Sequence, residues 1–279
     1  MEYNGQLSPS QTTEILREIG HSPVKKFGQN FLVDANIVRK SLELAEVSAG
    51  DTVVEVGPGL GTLTGALLER GAKVYAVELD KRLFEFLKGR FGGNPNLDLI
   101  NADAVEYPLA NLPPDADNFK VVANLPYAIS TPWLDKILAG RLPQKMSLML
   151  QKEAALRFAA RNGSGEFSPI SVLLSEAYDM QTPHKVSAAC FHPRPSVDSM
   201  LLPLSKKPDA YTFAPKTREI MRAVFSKRRK QMLSIAKSAG ADSAILLEWL
   251  EASPDLPPDR RPEAIENRHW VNLDKLARK

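Results

Sequence analysis

Five short runs, at 52–56 (TVVEV), 73–77 (KVYAV), 97–101 (LDLIN), 120–124 (KVVAN) and 147–151 (SLMLQ), are apolar or β-branched with almost no polar alternation, and helix-like stretches separate most of them. Strands this short and this uniformly apolar have no face to give to water. They fit a parallel sheet covered on both sides by helices and joined by right-handed crossovers. The pattern therefore predicts an α/β chain with a doubly wound, Rossmann-like sheet. Ahead of the first run, DANIVRKSLELAEV (34–47) reads as an amphipathic helix with Asp34 at its N-cap. From about residue 179, YDMQTPHKVSA and VDSMLLPLS read as a strand pair bridged by the Pro-rich ACFHPRPS, which adds an antiparallel pair at the end of the sheet. Beyond 206–216 only helical periods remain. The expected division is a sheet domain over 1–205, with an N-terminal extension over 1–24, and a small all-helical domain over 206–279.

A length of 279 residues with 43% hydrophobic composition suits one substantial core and a smaller second one. The single cysteine, Cys190, excludes an internal disulfide, and no Cys/His cluster has metal-ligand spacing, so a reducing cytoplasm and no metal are expected. The first twenty residues carry three glutamates and no apolar stretch, which argues against an export or transit signal. No run approaches the roughly 18 apolar residues that span a bilayer. A net charge of +3 means that any nucleic-acid surface must come from local clustering. One cluster exists: Arg218, Arg222, Lys227, Arg228, Arg229 and Lys230 crowd around Phe225 at what reads as a helix–loop–helix junction, with Lys25 and Lys26 as a second basic spot. It reads either as a solvated face or as a grip on phosphates.

Chemistry-bearing residues stand where the strands end. Gly57, Gly59 and Gly61 in EVGPGLG follow the first strand, where a bare backbone turns sharply and lets a ligand approach. Alone they fit a dinucleotide, S-adenosylmethionine or a plain tight turn. Glu78 ends the second strand about twenty residues on, where a carboxylate can accept both hydroxyls of a ribose or simply face solvent. Asp103, after the third, is placed for an adenine amine or for a turn. Asn124-Leu125-Pro126-Tyr127 follows the fourth strand and discriminates among these readings. An adenine amine is a poor nucleophile because its lone pair is delocalised. The Asn124 side-chain oxygen and the Leu125 carbonyl could accept its two hydrogens, Pro126 fixes the turn, and Tyr127 offers a ring for stacking. An oxidoreductase has no evident use for that loop, and no nucleophile–histidine constellation competes with it.

In order and spacing these motifs resemble the ribosomal RNA adenine N6,N6-dimethyltransferases of the small-subunit type, over nearly the whole chain. KFGQNFL (26–32) resembles that family's N-terminal cofactor motif, QKE (151–153) a strand–helix junction, and FHPRPSVDS (191–199) the loop whose aromatic packs near the target base. The resemblance implies a Rossmann-like methyltransferase sheet and S-adenosylmethionine contacts at Asn30, Leu32, Gly57, Gly59, Gly61, Glu78, Leu79, Asp103, Ala104 and Asn124. It also implies Asn124, Leu125, Pro126, Tyr127 and Phe191 around the adenine, and Lys25, Lys26, Arg222 and Lys227 to Lys230 on RNA. The implied substrate is two neighbouring adenosines in the 3′-terminal hairpin of small-subunit ribosomal RNA, within an assembling subunit, handled by a monomer. A large-subunit resistance methyltransferase and a non-catalytic assembly checkpoint are the alternatives. Ala128, where the family usually has Asn, is one departure, and Ser168-Pro169 and Ser234-Ile235 are others.

Overall fold

A computed structural model describes residues 7–23 and 29–278, with the Tyr127 side chain left out. The chain divides into two compact units, one built from residues up to 137 with 141–155 and 179–206, the other from 138–140, 156–178 and 207 onward.

The first unit opens with α1 (Pro9–Glu18), capped by Ser8 in a capping box with Gln11. A two-residue strand, β1 (Phe31–Leu32), precedes α2 (Ala35–Leu44), whose N-cap Asp34 accepts from the N–H groups of Asn36 and Ile37. The wound part then runs β2 (Thr52–Val56), α3 (Thr62–Glu69), β3 (Lys73–Glu78), α4 (Lys81–Phe91), β4 (Leu97–Asn101), β5 (Lys120–Asn124), α5 (Tyr127–Ile137) and β6 (Lys145–Gln151). All five expected runs are strands. Those five pair in parallel in the order β4-β3-β2-β5-β6. Both faces are covered, so the inner strands are buried at consecutive positions; β4, at the edge, is only half-buried.

After α6 (Lys152–Phe158) and α7 (Pro169–Ala177), the expected late pair appears in modified form. YDMQTPHKV breaks around Pro183 into β7 (Tyr178–Met180) and β8 (His184–Val186), both beside β10 (Ser199–Lys206), which runs antiparallel to β6. Between them β9 (Phe191–His192) leaves the sheet and pairs antiparallel with β1, Leu32 opposite Phe191. One core gathers Leu32, Val38, Leu42, Val53, Leu67, Val74, Val122, Met149 and Phe191; a smaller cluster seats Ile15 and Leu16 of α1 on Phe31, Leu60 and Leu83.

The second unit contains α8 (Pro215–Ser226), α9 (Met232–Lys237), α10 (Ser243–Glu251) and α11 (Asn267–Ala277). Phe225, Trp249 and Trp270 form its aromatic centre, with Trp270 5.4 Å from Phe225 and 5.3 Å from Trp249. It also takes in α7, which lies inside the expected 1–205 sheet domain. Phe167 lies edge-on to Phe225 at 6.0 Å, Asn267 donates to the Glu176 carboxylate at 3.0 Å, and Lys207 donates to the Ser175 carbonyl. These pairings join segments far apart in sequence, so no local pattern announces them. Among the described residues no helix is long and apolar enough to cross a membrane.

Candidate active site

Strand register decides which loops meet. Val56 is level with Val77, Glu78 with Asn101 and Asn124 with Met149, so the segments leaving β2 to β6 emerge along one carboxyl edge, where open α/β sheets bind ligands. A cavity there is lined by Asn30, Leu32, Gly57, Gly59, Glu78, Leu79, Asp103, Ala104, Asn124, Leu125, Pro126 and Phe191. These are the residues expected around cofactor and base, with two exceptions. The Tyr127 side chain lies outside the described residues. Gly61 is not among the lining residues: a Cβ on it would stand 2.5 Å from Phe91 and 2.8 Å from Leu87, so its bare backbone lets α4 pack on the loop.

The two preceding glycines do face the cavity. Gly57, at φ +66°, has nothing within 4 Å of where a Cβ would sit. Gly59, at φ +62°, lies against the Phe31 ring and donates its N–H to Glu78 Oε2 at 3.0 Å. The other Glu78 oxygen accepts from the Asp80 N–H at 2.9 Å, so the carboxylate is held in one orientation. Burial pushes this carboxyl above the usual range, and the same peptide donors pull it back down. Asn101 fixes the backbone behind it by donating to the Glu78 and Leu79 carbonyls. Leu79 stays half exposed at the rim. Asp103 is a turn residue that also lines the cavity: one oxygen accepts from the Val105 N–H at 2.7 Å.

Asn124 donates its amide NH₂ to the Asn30 carbonyl at 3.2 Å. No hydrogen bond among the described residues engages its Oδ1, and the Leu125 N–H is tied to the Met149 carbonyl at 3.0 Å. Phe191 is a core aromatic, only 5% exposed, that also forms a wall of the cavity. The cavity also takes in Gln29, Pro58, Thr62, Asp80, Ala128, Ile129, Gln151, Pro195 and Ser199. Of these, Gln151 could have been found as the last residue of a parallel strand at the ligand-binding edge. Gln29 and Asp80 carry no such local signal.

In the helical unit the basic stretch is the expected junction, a turn between α8 and α9. Arg222, Arg229 and Lys230 are exposed, and Lys227 and Arg228 are half-buried. Arg228 donates to the Gly165 carbonyl and Lys227 to that of Ser238. Arg218 does not belong to this surface: it is 3% exposed, on the inward face of α8. Lys25 and Lys26 lie outside the described residues.

Residues 20–245 match the family described as Ribosomal RNA adenine dimethylase. The chain is 51% identical over 272 residues to the Ribosomal RNA small subunit methyltransferase A of Opitutus terrae, spanning 96% of this chain and 98% of that protein. A dimethyladenosine transferase from Plasmodium falciparum superposes with a TM-score of 0.70 and 26% identity, covering 87% of this chain and 95% of the other. The 23S rRNA methyltransferase ErmE superposes at 0.62 with 23% identity over 90% of this chain and 100% of its own, a likeness of fold alone. Both share the Rossmann-like α/β sheet.

Proposed function

Because the chain belongs to the ribosomal RNA adenine dimethylase family, we propose that it dimethylates the N6 amines of two adjacent adenosines in the 3′-terminal hairpin of small-subunit ribosomal RNA. It would act in the cytoplasm, as a monomer, on an assembling subunit. The large-subunit alternative is not favoured, since the 51%-identical relative is a small-subunit methyltransferase.

S-adenosylmethionine, when bound, supplies an electrophilic methyl group on a sulfonium sulfur. The cavity fits that molecule. At Gly57 a side chain would enter open space, so the bare backbone leaves room for a ligand. Glu78, fixed by two peptide N–H groups, would accept the ribose hydroxyls. The Asp103 oxygen outside its turn would take the adenine amine, with Leu79 and Ala104 flanking that ring. Asn30 and Leu32 would close the other side.

The observation that carries the chemistry is the tether on Asn124. With its NH₂ held by the Asn30 carbonyl, its oxygen is the end available to the cavity. That oxygen and the Leu125 carbonyl would accept the two hydrogens of the target amine and aim its lone pair at the methyl carbon. Phe191 and Tyr127 would hold the base. Positioning and fixed dipoles then supply the acceleration, without a covalent enzyme intermediate.

The test is mass spectrometry of ribosomal RNA fragments after incubating undermethylated small subunits with labelled S-adenosylmethionine. Two neighbouring dimethylated adenosines are expected. Asn124→Ala should abolish transfer while cofactor affinity stays within about tenfold, or ~1.4 kcal/mol. Normal turnover by that variant would remove Asn124 as the amine acceptor.

A further inference from the structure

His21 lies outside the expected cofactor motif, yet it touches two residues of the cavity wall. Its place is set locally. Gly20, at φ +62°, ends α1 in the left-handed conformation. The Gly20 N–H bonds to the Arg17 carbonyl and the His21 N–H to the Leu16 carbonyl, the paired closure that glycine permits at a helix C-terminus. The Arg82 guanidinium donates to the Gly20 carbonyl, fastening this turn to the start of α4. The imidazole is thereby delivered to a buried position, 7% exposed.

One ring nitrogen, Nε2, stands 2.9 Å from Gln29 Oε1; the other, Nδ1, stands 3.6 Å from Asp80 Oδ2. Gln29 and Asp80 both line the cavity and come from different walls. On one side, Asp80 caps α4 through its Oδ1 and donates its own N–H to Glu78 Oε1. On the other, Gln29 immediately precedes Asn30, whose carbonyl holds the amide of Asn124. His21 thus stands between Asp80, which is bonded to Glu78, and Gln29, the chain neighbour of Asn30.

We propose that His21 is a positioning residue that clasps these two walls together and so sets the affinity for the methyl donor. The inference rests on the cofactor reading of the cavity given above. The imidazole is not among the residues lining the cavity, so its effect is indirect and is read in methyl-donor binding.

Two substitutions separate a polar clasp from simple packing. His21→Gln keeps a polar group able to reach Gln29, whereas His21→Leu keeps bulk and removes the reach. S-adenosylmethionine titrated calorimetrically into the full chain should bind His21→Gln within about threefold of wild type and His21→Leu about tenfold more weakly. Binding of His21→Leu equal to wild type would overturn the proposal. So would loss of the folded state in both variants, which would make His21 a packing residue. If wild type itself takes up no S-adenosylmethionine, the cofactor reading is what fails.

Discussion

Glu55, the first residue of EVGPGLG and still within β2, carries a carboxyl group and is 1% exposed. Its Oε2 accepts the Thr64 hydroxyl at 2.7 Å, and its Oε1 has no partner among the described residues. Burial pushes its pKa up to about 8, the Thr64 hydrogen bond opposes this, and the nearby Glu78 charge adds to the rise. A folded-state value above the ordinary 4.5 means that the folded chain favours the protonated form. The resulting stability is fully present below about pH 4.5 and is lost as pH rises toward about 8. Glu55→Gln keeps an acceptor for Thr64 and removes the ionisation. It should raise unfolding free energy at pH 8 by about 1–3 kcal/mol and leave it nearly unchanged near pH 4.5, measured by urea unfolding. Equal differences at both pH values would contradict a buried ionisation. Glu78 is the complementary case, because the ribose role proposed for it needs the carboxylate form. Glu78→Ala should weaken S-adenosylmethionine binding by about 1–3 kcal/mol in calorimetry, and undiminished affinity would release it from that role.

Two glycines of one loop show how the same residue type serves different purposes. Gly57 and Gly61 both have positive φ, so alanine at either costs about 1–2 kcal/mol of backbone strain. At Gly61 the new methyl would also press on Phe91 and Leu87, so Gly61→Ala should lower the melting temperature the more. At Gly57 it would meet only open space, so the larger loss in Gly57→Ala should be in cofactor affinity. Melting curves and calorimetry on the pair check this, and the reverse ranking would reassign both residues. Strands and loop were legible in the sequence because burial on both faces leaves an unbroken apolar run, and positive φ calls for glycine. The cavity-facing and helix-facing glycines were not distinguishable, since the neighbour that matters, α4, follows a full strand later. The β1–β9 ribbon and the contact of His21 with Asp80 were hidden for the same reason. Each is fixed by a partner distant in the chain.

Over the whole molecule a net charge of +3 says little, and the distribution of partners says more. In the helical unit Lys216, Arg268 and Arg278 each sit within 4 Å of a carboxylate, at Asp242, Asp255 and Asp274 respectively. Arg229 and Lys230 are exposed and have no ion pair among the described residues. If they hold phosphates, replacing both with Ala should reduce the slope of log affinity against log salt by roughly 1–2 for RNA binding. Filter binding at several salt concentrations measures it, and an unaltered slope would return the pair to a solvated face. They are cleaner probes than Arg228, whose guanidinium already serves the Gly165 carbonyl.

The fastening of Asn124 to Asn30 also limits what position 124 will accept. Aspartate has nearly the same shape and offers the same oxygen to a base, but its second oxygen would confront the Asn30 carbonyl with like polarity. The end beside Asn30 gives a hydrogen, and the proposed grip on a base asks the other to receive one, a division of labour that suits a carboxamide and not its acid.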